Sequence, residues 1–151
     1  MSSHAFHQLY YHFTWSTKHR LPLMEGHIRD WLLLCLAEEC PKRQAVLLAC
    51  NAMPDHVHLF VSLPPTACVS TFIGQIKGAS SRLFKLTQNV DDVNLMWQEG
   101  YGVVTLRKGE SRKVMDYVNN QQEIHAARKT SRVLETAEVE EGGALSDVSG
   151  A

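Results

Sequence analysis

This 151-residue chain predicts an α+β fold: a four-stranded antiparallel sheet with helices mainly on one face. Three observations carry the prediction. Short β-favouring runs alternate with longer stretches of helical periodicity. Two of the runs, 45–52 and 56–63, are separated only by Met53-Pro54-Asp55, so they should pair as an antiparallel hairpin. The second run also alternates: Val57, Leu59, Val61 and Leu63 fall on one face, His56, His58, Phe60 and Ser62 on the other.

The elements follow in order. Residues 6–17 are aromatic and β-favouring and read as a first strand, closed by the basic turn Lys18-His19-Arg20. Beyond Pro22, a helix over about 25–40 places Ile28, Trp31, Leu32, Cys35 and Leu36 at helical spacing, and Pro41 stops it. The hairpin comes next. After Pro64-Pro65, a helix over about 69–86 puts Val69, Phe72, Ile73, Ile76, Leu83 and Phe84 on one side, with Gly74 and Gly78 as weak points. Residues 87–95 form a polar connection, and 96–106 read as a fourth strand with glycine irregularities. Ser111 can cap a last helix running to about 129. The order βαββαβα, without internal repeat, is that of the ferredoxin-like split βαβ arrangement, with one sheet face left open for the histidines.

Composition excludes several classes. At 44% hydrophobic and 21% charged, the chain is a soluble globular type. No apolar run approaches the roughly 20 residues needed to span a bilayer. Met1-Ser2-Ser3-His4 lacks the basic and apolar regions of a signal peptide, so a cytoplasmic location is expected. Cys35, Cys40, Cys50 and Cys68 form no CxxC pair and read as reduced thiols. The formal charge of −1 is unevenly spread: residues 1–132 hold fifteen basic and eleven acidic groups, net +4, and the remainder holds five acidic groups and no base. Residues 1–130 are therefore expected to form the domain, and 131–151 an acidic, flexible tail.

Two groups carry candidate chemistry. His56 and His58 share one strand face and can present two neutral imidazoles to a metal ion, or they can be packed structural histidines. Tyr117 and Gln121 lie one turn apart on the last helix, with Lys113 and His125 on the same stripe. A phenol can act as nucleophile and an amide oxygen can complete a metal site. Surface positions for both are the competing reading. Tyr101, in Gly100-Tyr101-Gly102, is a rival nucleophile without a nearby helical glutamine.

In combination these residues resemble a known family, the single-tyrosine HUH transposases of bacterial insertion sequences and their REP-associated relatives. The matching segments are Tyr11-His12-Phe13-Thr14-Trp15 with Lys18-His19-Arg20, Met53-Pro54-Asp55-His56-Val57-His58-Leu59, Lys77-Gly78-Ala79-Ser80-Ser81-Arg82, Trp97-Gln98-Glu99-Gly100-Tyr101-Gly102, and Tyr117-Val118-Asn119-Asn120-Gln121. They span about 6–125. The resemblance implies that His56, His58 and Gln121 bind a divalent metal. Such mixed nitrogen and oxygen ligands do not select one ion sharply, and Mg²⁺ and Mn²⁺ are the expected working ions, with Zn²⁺ able to bind without supporting activity. The resemblance makes Tyr117 the nucleophile that forms a 5′-phosphotyrosine bond in single-stranded DNA with hairpin ends. It also implies a homodimer in which one subunit's Tyr117 and Gln121 serve its partner's histidines. Lys18, Arg20, Lys77, Arg82, Arg107, Lys108, Arg112 and Lys113 are candidate phosphate contacts. Two further readings compete: a metal phosphoesterase using water as nucleophile, and a domesticated protein that binds hairpin DNA without cutting it.

Overall fold

The computed structural model describes residues 5–88 and 97–137. Its elements are β1 (Tyr10–Ser16), α1 (Gly26–Glu39), β2 (Val46–Met53), β3 (His56–Ser62), α2 (Val69–Gln88), β4 (Gly102–Leu106), α3 (Ser111–Asn119), α4 (Gln121–Ala126) and α5 (Arg132–Glu135). The strands form one antiparallel sheet in the order β2-β3-β1-β4. This is the ferredoxin-like order expected from the sequence. Most of the expected connection over 87–95 lies outside the described residues. No helix among the described residues is long and apolar enough to cross a membrane.

Strand alternation builds two unequal layers. On one face Phe13 and Trp15 of β1 and Val57, Leu59 and Val61 of β3 pack with Leu32 and Leu36 of α1 and Phe72, Ile73, Ile76 and Phe84 of α2. Burying a large aliphatic side chain is worth about 1.5–3 kcal/mol, so this layer supplies most of the cohesion. On the other face, Phe60 of β3 and Ala49 of β2 pack with Val114 and Val118, one turn apart on α3.

The face expected to stand open for the histidines is therefore covered. Val114 and Val118 give α3 a narrow apolar stripe that needs burial, and Phe60, between the histidines and Ser62, supplies the surface. Among the described residues the two long helices, α1 and α2, build the large core on one face, and the shorter α3 covers the other.

Two differences from the expected elements have local causes. β4 begins at Gly102, because the ammonium of Lys77 gathers the carbonyls of Gln98 (2.6 Å), Glu99 (3.3 Å) and Gly100 (3.0 Å) away from the ladder. Trp97 makes only an isolated bridge to Thr17. The single last helix is broken at Asn120 into α3 and α4. Buried Asn51 of β2 donates its amide to the carbonyls of Val118 (3.0 Å) and Asn119 (3.3 Å), groups that a continuous helix would keep for itself.

Helix α4 ends in a Schellman motif: Lys129 N–H donates to Ile124 O and Arg128 N–H to His125 O, with Arg128 at φ 55°. That reversal returns the chain over the sheet. Residues 131–137, expected as the start of a flexible tail, include α5, with Leu134 and Ala137 buried. Residues 138–151 lie outside the described part. Gly102 marks the close approach, since a Cβ there would lie 1.8 Å from the carbonyl oxygen of Thr136.

Candidate active site

β3 lies between β2 and β1, and its register sets Thr14 opposite His58 and Ser16 opposite His56. Both histidines are buried, His58 completely. Each has one ring nitrogen anchored by protein. Asp55 Oδ1 lies 2.7 Å from His56 Nδ1, and since a carboxylate accepts, that nitrogen carries the proton. His12 Nε2 of β1 lies 3.0 Å from His58 Nδ1. Such anchoring fixes ring orientation and leaves Nε2 of each histidine facing the site.

The carboxylate of Glu135 faces both. Its Oε2 is 3.2 Å from His56 Nε2, and its Oε1 is 3.1 Å from His58 Nε2 and 3.1 Å from His125 Nε2. Neither His56 Nε2 nor His58 Nε2 has a partner in hydrogen-bond geometry, although both are buried. Two buried nitrogens directed to a common point without satisfied hydrogen bonds suit a cation, and the donor set of three imidazoles and a carboxylate suits a divalent metal. The ligand-capable atoms of His56, His58, His125 and Glu135 all lie within 4.8 Å of one another.

Tyr117 joins the cluster from α3. Its hydroxyl donates to Glu135 Oε1 (2.9 Å) and accepts from the Ser131 N–H (2.7 Å), and its ring centre is 6.0 Å from that of His58. Gln121, fully buried at the start of α4, donates from Nε2 to the Tyr117 carbonyl (3.1 Å), while its Oε1 lies 3.0 Å from His125 Nε2. One chain thus brings its own Tyr117 and Gln121 beside its own His56 and His58.

The electrostatics follow burial and these contacts. Burial first, and then His58, lower His12 to about 3, so His12 is neutral at physiological pH. Burial likewise lowers His58, against the carboxylate of Glu135. For His56 burial is again the largest influence and lowers it, but Glu135 and Asp55 together outweigh burial and raise it. Burial works to raise Glu135, yet His56 and His58 hold its carboxyl well below the usual range. Tyr117 is pushed up to about 12, chiefly by burial, so its hydroxyl is protonated at neutral pH.

The predicted phosphate contacts are dispersed. Arg20, 3.5 Å from Asp55, lines a cleft with Pro54, His56 and His125. Lys113 lines another with Tyr117, Asn120 and Lys129. Lys18, Arg107, Lys108 and Arg112 are exposed, with Arg107 3.5 Å from Glu110. Arg82 is exposed on α2, which packs on the opposite sheet face, and Lys77 is engaged by the three carbonyls of 98–100. Tyr101 lies against Phe13 on the core side, remote in kind from the histidine face.

Sequence reasoning did not single out Glu135 or Asn51, and named His12 only within a motif. For His12 a signal was present: it alternates with Phe13 and Trp15 and so shares a face with Thr14 and Ser16.

Comparison with known proteins agrees with this fold. The sequence model of the family described as "Transposase IS200 like" matches residues 5–121. The ISDra2 transposase TnpA of Deinococcus radiodurans is 28% identical over 120 residues, covering 76% of this chain and 85% of that protein. The transposase for insertion sequence element IS200 of Salmonella typhimurium is 29% identical over 119 residues, covering 75% of this chain and 76% of the relative. A crystal structure of a Deinococcus radiodurans R1 protein, described as a transposase, superposes with TM-score 0.64 at 28% identity, covering 80% of this chain and 96% of that one. A REP-associated tyrosine transposase bound to a REP hairpin shares the fold, with TM-score 0.58 at 17% identity, covering 93% of this chain and 94% of that one. The chain belongs to the IS200-like transposase family. The αβ sheet with its buried histidine pair is thus the scaffold of a DNA transposase.

Proposed function

We propose that the protein cuts and rejoins single-stranded DNA, with hairpin ends, through a 5′-phosphotyrosine bond at Tyr117. The observation that carries this reading is the meeting of Tyr117, His56 and His58 around one carboxylate, within a transposase family fold. The Tyr117 oxygen attacks phosphorus, the bond from phosphorus to the 3′-oxygen breaks, and that oxygen leaves as a 3′-hydroxyl after gaining the proton that tyrosine gives up. The phosphodiester energy is kept in the protein–DNA bond, so a second 3′-hydroxyl can reverse the step on another strand without ATP.

His56 and His58, joined by Gln121, would hold a divalent cation, Mg²⁺ or Mn²⁺. When bound, that cation supplies charge neutralisation at a non-bridging phosphate oxygen and orients it for in-line attack. Asp55 and His12 keep the two rings in place. A phenol held near 12, by burial and beside the Glu135 carboxylate, needs a strong perturbation to ionise at neutral pH. Arg20 and Lys113, in clefts reaching His56 and Tyr117, are the phosphate contacts best placed for the reacting strand. Lys18, Arg107, Lys108 and Arg112 would extend the binding surface, whereas Arg82 lies on α2 across the sheet from the site.

The resemblance further implies a homodimer, which sedimentation with and without hairpin DNA tests. The expected exchange of residues between subunits is not needed here, because Tyr117 and Gln121 lie beside the same chain's His56 and His58. The reaction itself is tested by incubating the protein with a labelled single-stranded hairpin oligonucleotide and Mn²⁺. A covalent adduct resistant to denaturation is expected. Cleavage without any adduct would instead support the water-using phosphoesterase, and tight hairpin binding without cleavage the domesticated binder.

A further inference from the structure

We propose that His125 and Glu135 are themselves ligands of the metal ion, completing with His56 and His58 a site that selects a first-row transition ion such as Mn²⁺ over Mg²⁺. The proposal rests on the reading of His56 and His58 as metal ligands and extends it to two residues outside the histidine strand.

The distances carry it. Ligand atoms about 2.1 Å from one ion stand about 3.0 Å apart when at right angles and about 3.4 Å apart in a tetrahedron. Glu135 Oε2 to His56 Nε2 is 3.2 Å, and Glu135 Oε1 to His58 Nε2 and to His125 Nε2 is 3.1 Å in each case. Simple imidazole–carboxylate hydrogen bonds would have the same lengths, but they require the N–H to point at the oxygen. At His56 and His58 that alignment is missing, and neither buried Nε2 makes a hydrogen bond, whereas His125 Nε2 is in hydrogen-bond geometry with Glu135 Oε1 (3.1 Å) and Gln121 Oε1 (3.0 Å). Nitrogen and oxygen atoms adjacent but not aimed at one another are what shared coordination produces.

The carboxylate is also held independently of any ion. Leu134 is buried beside it, Gln98 Nε2 donates to the Ala137 carbonyl (3.3 Å), and Gly102 lets Thr136 approach. Asp55 and His12 similarly hold the two strand histidines. The four groups are therefore preorganised. Three imidazole nitrogens suit Mn²⁺, Fe²⁺ or Zn²⁺, whereas Mg²⁺ prefers oxygen ligands and water. Because Glu135 Oε1 also accepts the Tyr117 hydroxyl, the same carboxylate couples the nucleophile's position to the ion.

The test is Mn²⁺ binding by the full-length, metal-stripped protein, followed by calorimetry and by the electron paramagnetic resonance of free Mn²⁺, with Mg²⁺ as competitor. Outer-shell partners already cost about 10- to 100-fold in affinity, so Glu135→Ala and His125→Ala should each weaken Mn²⁺ binding by at least about tenfold. Glu135→Gln, which keeps shape and the contact with Tyr117, should also weaken it, with an unchanged circular dichroism spectrum. Mg²⁺ in large excess should fail to displace Mn²⁺ from the unaltered protein. Wild-type affinity in the Glu135 and His125 variants, with binding lost in His58→Ala, would overturn the proposal and leave the strand histidines as ligands. Binding unchanged in His58→Ala as well would remove the metal role of that pair. Tighter binding by Glu135→Ala would overturn the proposal too, since the carboxylate would then occupy the ion's place instead of sharing it.

Discussion

His56 and His58 each commit one ring nitrogen to the protein and present the other to the site, and His12 makes the cost of this arrangement measurable. Burial and the neighbouring His58 hold His12 at about 3, against about 6.5 in an unfolded chain. Between those values the unfolded state binds the proton and the folded state does not. Stability contributed by neutral His12 is therefore present above about 6.5 and lost as pH falls toward 3. Urea unfolding of metal-free protein should show a loss on the order of a few kcal/mol between neutral pH and about pH 4. His12→Gln should have lower stability at pH 7 but a visibly shallower slope; an unchanged slope would remove His12 as its source. The histidine pair itself was legible from alternation alone, because a strand's period of two is a local property. The role of Glu135 was not. In sequence it opens an acidic run with the look of a solvated tail, and only the turn at Arg128 brings it back to the histidines.

At the scale of elements, the unreadable events are those decided across long separations. The spacing of Tyr117 and Gln121 predicts one helix face, and both do reach the site, but the helix between them is broken by Asn51, which lies 67 positions away from the Val118 carbonyl it takes. Likewise β4 is shorter than its sequence pattern because Lys77, read as a phosphate contact, gathers three carbonyls from the preceding loop. The hairpin, α1 and α2 were readable because their breakers, Pro41 and Met53-Pro54-Asp55, are local. The close approach of Thr136 to Gly102 gives an element-scale test. Gly102→Ala places a Cβ against backbone that cannot yield without moving 131–137. Hydrogen exchange should speed up across that segment by about tenfold or more, with β3 unaffected. Equal protection in the variant would mean the segment's position does not depend on this contact.

For the whole molecule, charge is divided between a body of net +4 and a C-terminal stretch carrying Glu135, Glu138, Glu140, Glu141 and Asp147. Nucleic-acid affinity depends on phosphate neutralisation and falls as salt rises. Removing residues 138–151 takes away four acidic groups. It should strengthen binding to a single-stranded oligonucleotide several-fold at about 50 mM salt, with the gain fading by about 300 mM as screening shortens. A gain independent of salt would point to steric, not electrostatic, interference. Membership of the IS200-like transposase family sets the class of reaction, and the site fixes which atoms the account makes responsible.

The central claim is that the Tyr117 oxygen becomes bonded to DNA phosphorus. Its most direct measurement is intact-protein mass spectrometry after reaction with a single-stranded hairpin oligonucleotide and Mn²⁺. The account predicts a mass increase equal to the 5′-phosphorylated fragment, mapped by proteolysis to the Tyr117 peptide and absent from Tyr117→Phe, which keeps the ring and should bind the oligonucleotide normally. An adduct that persists in Tyr117→Phe, or maps to Tyr101, would contradict it.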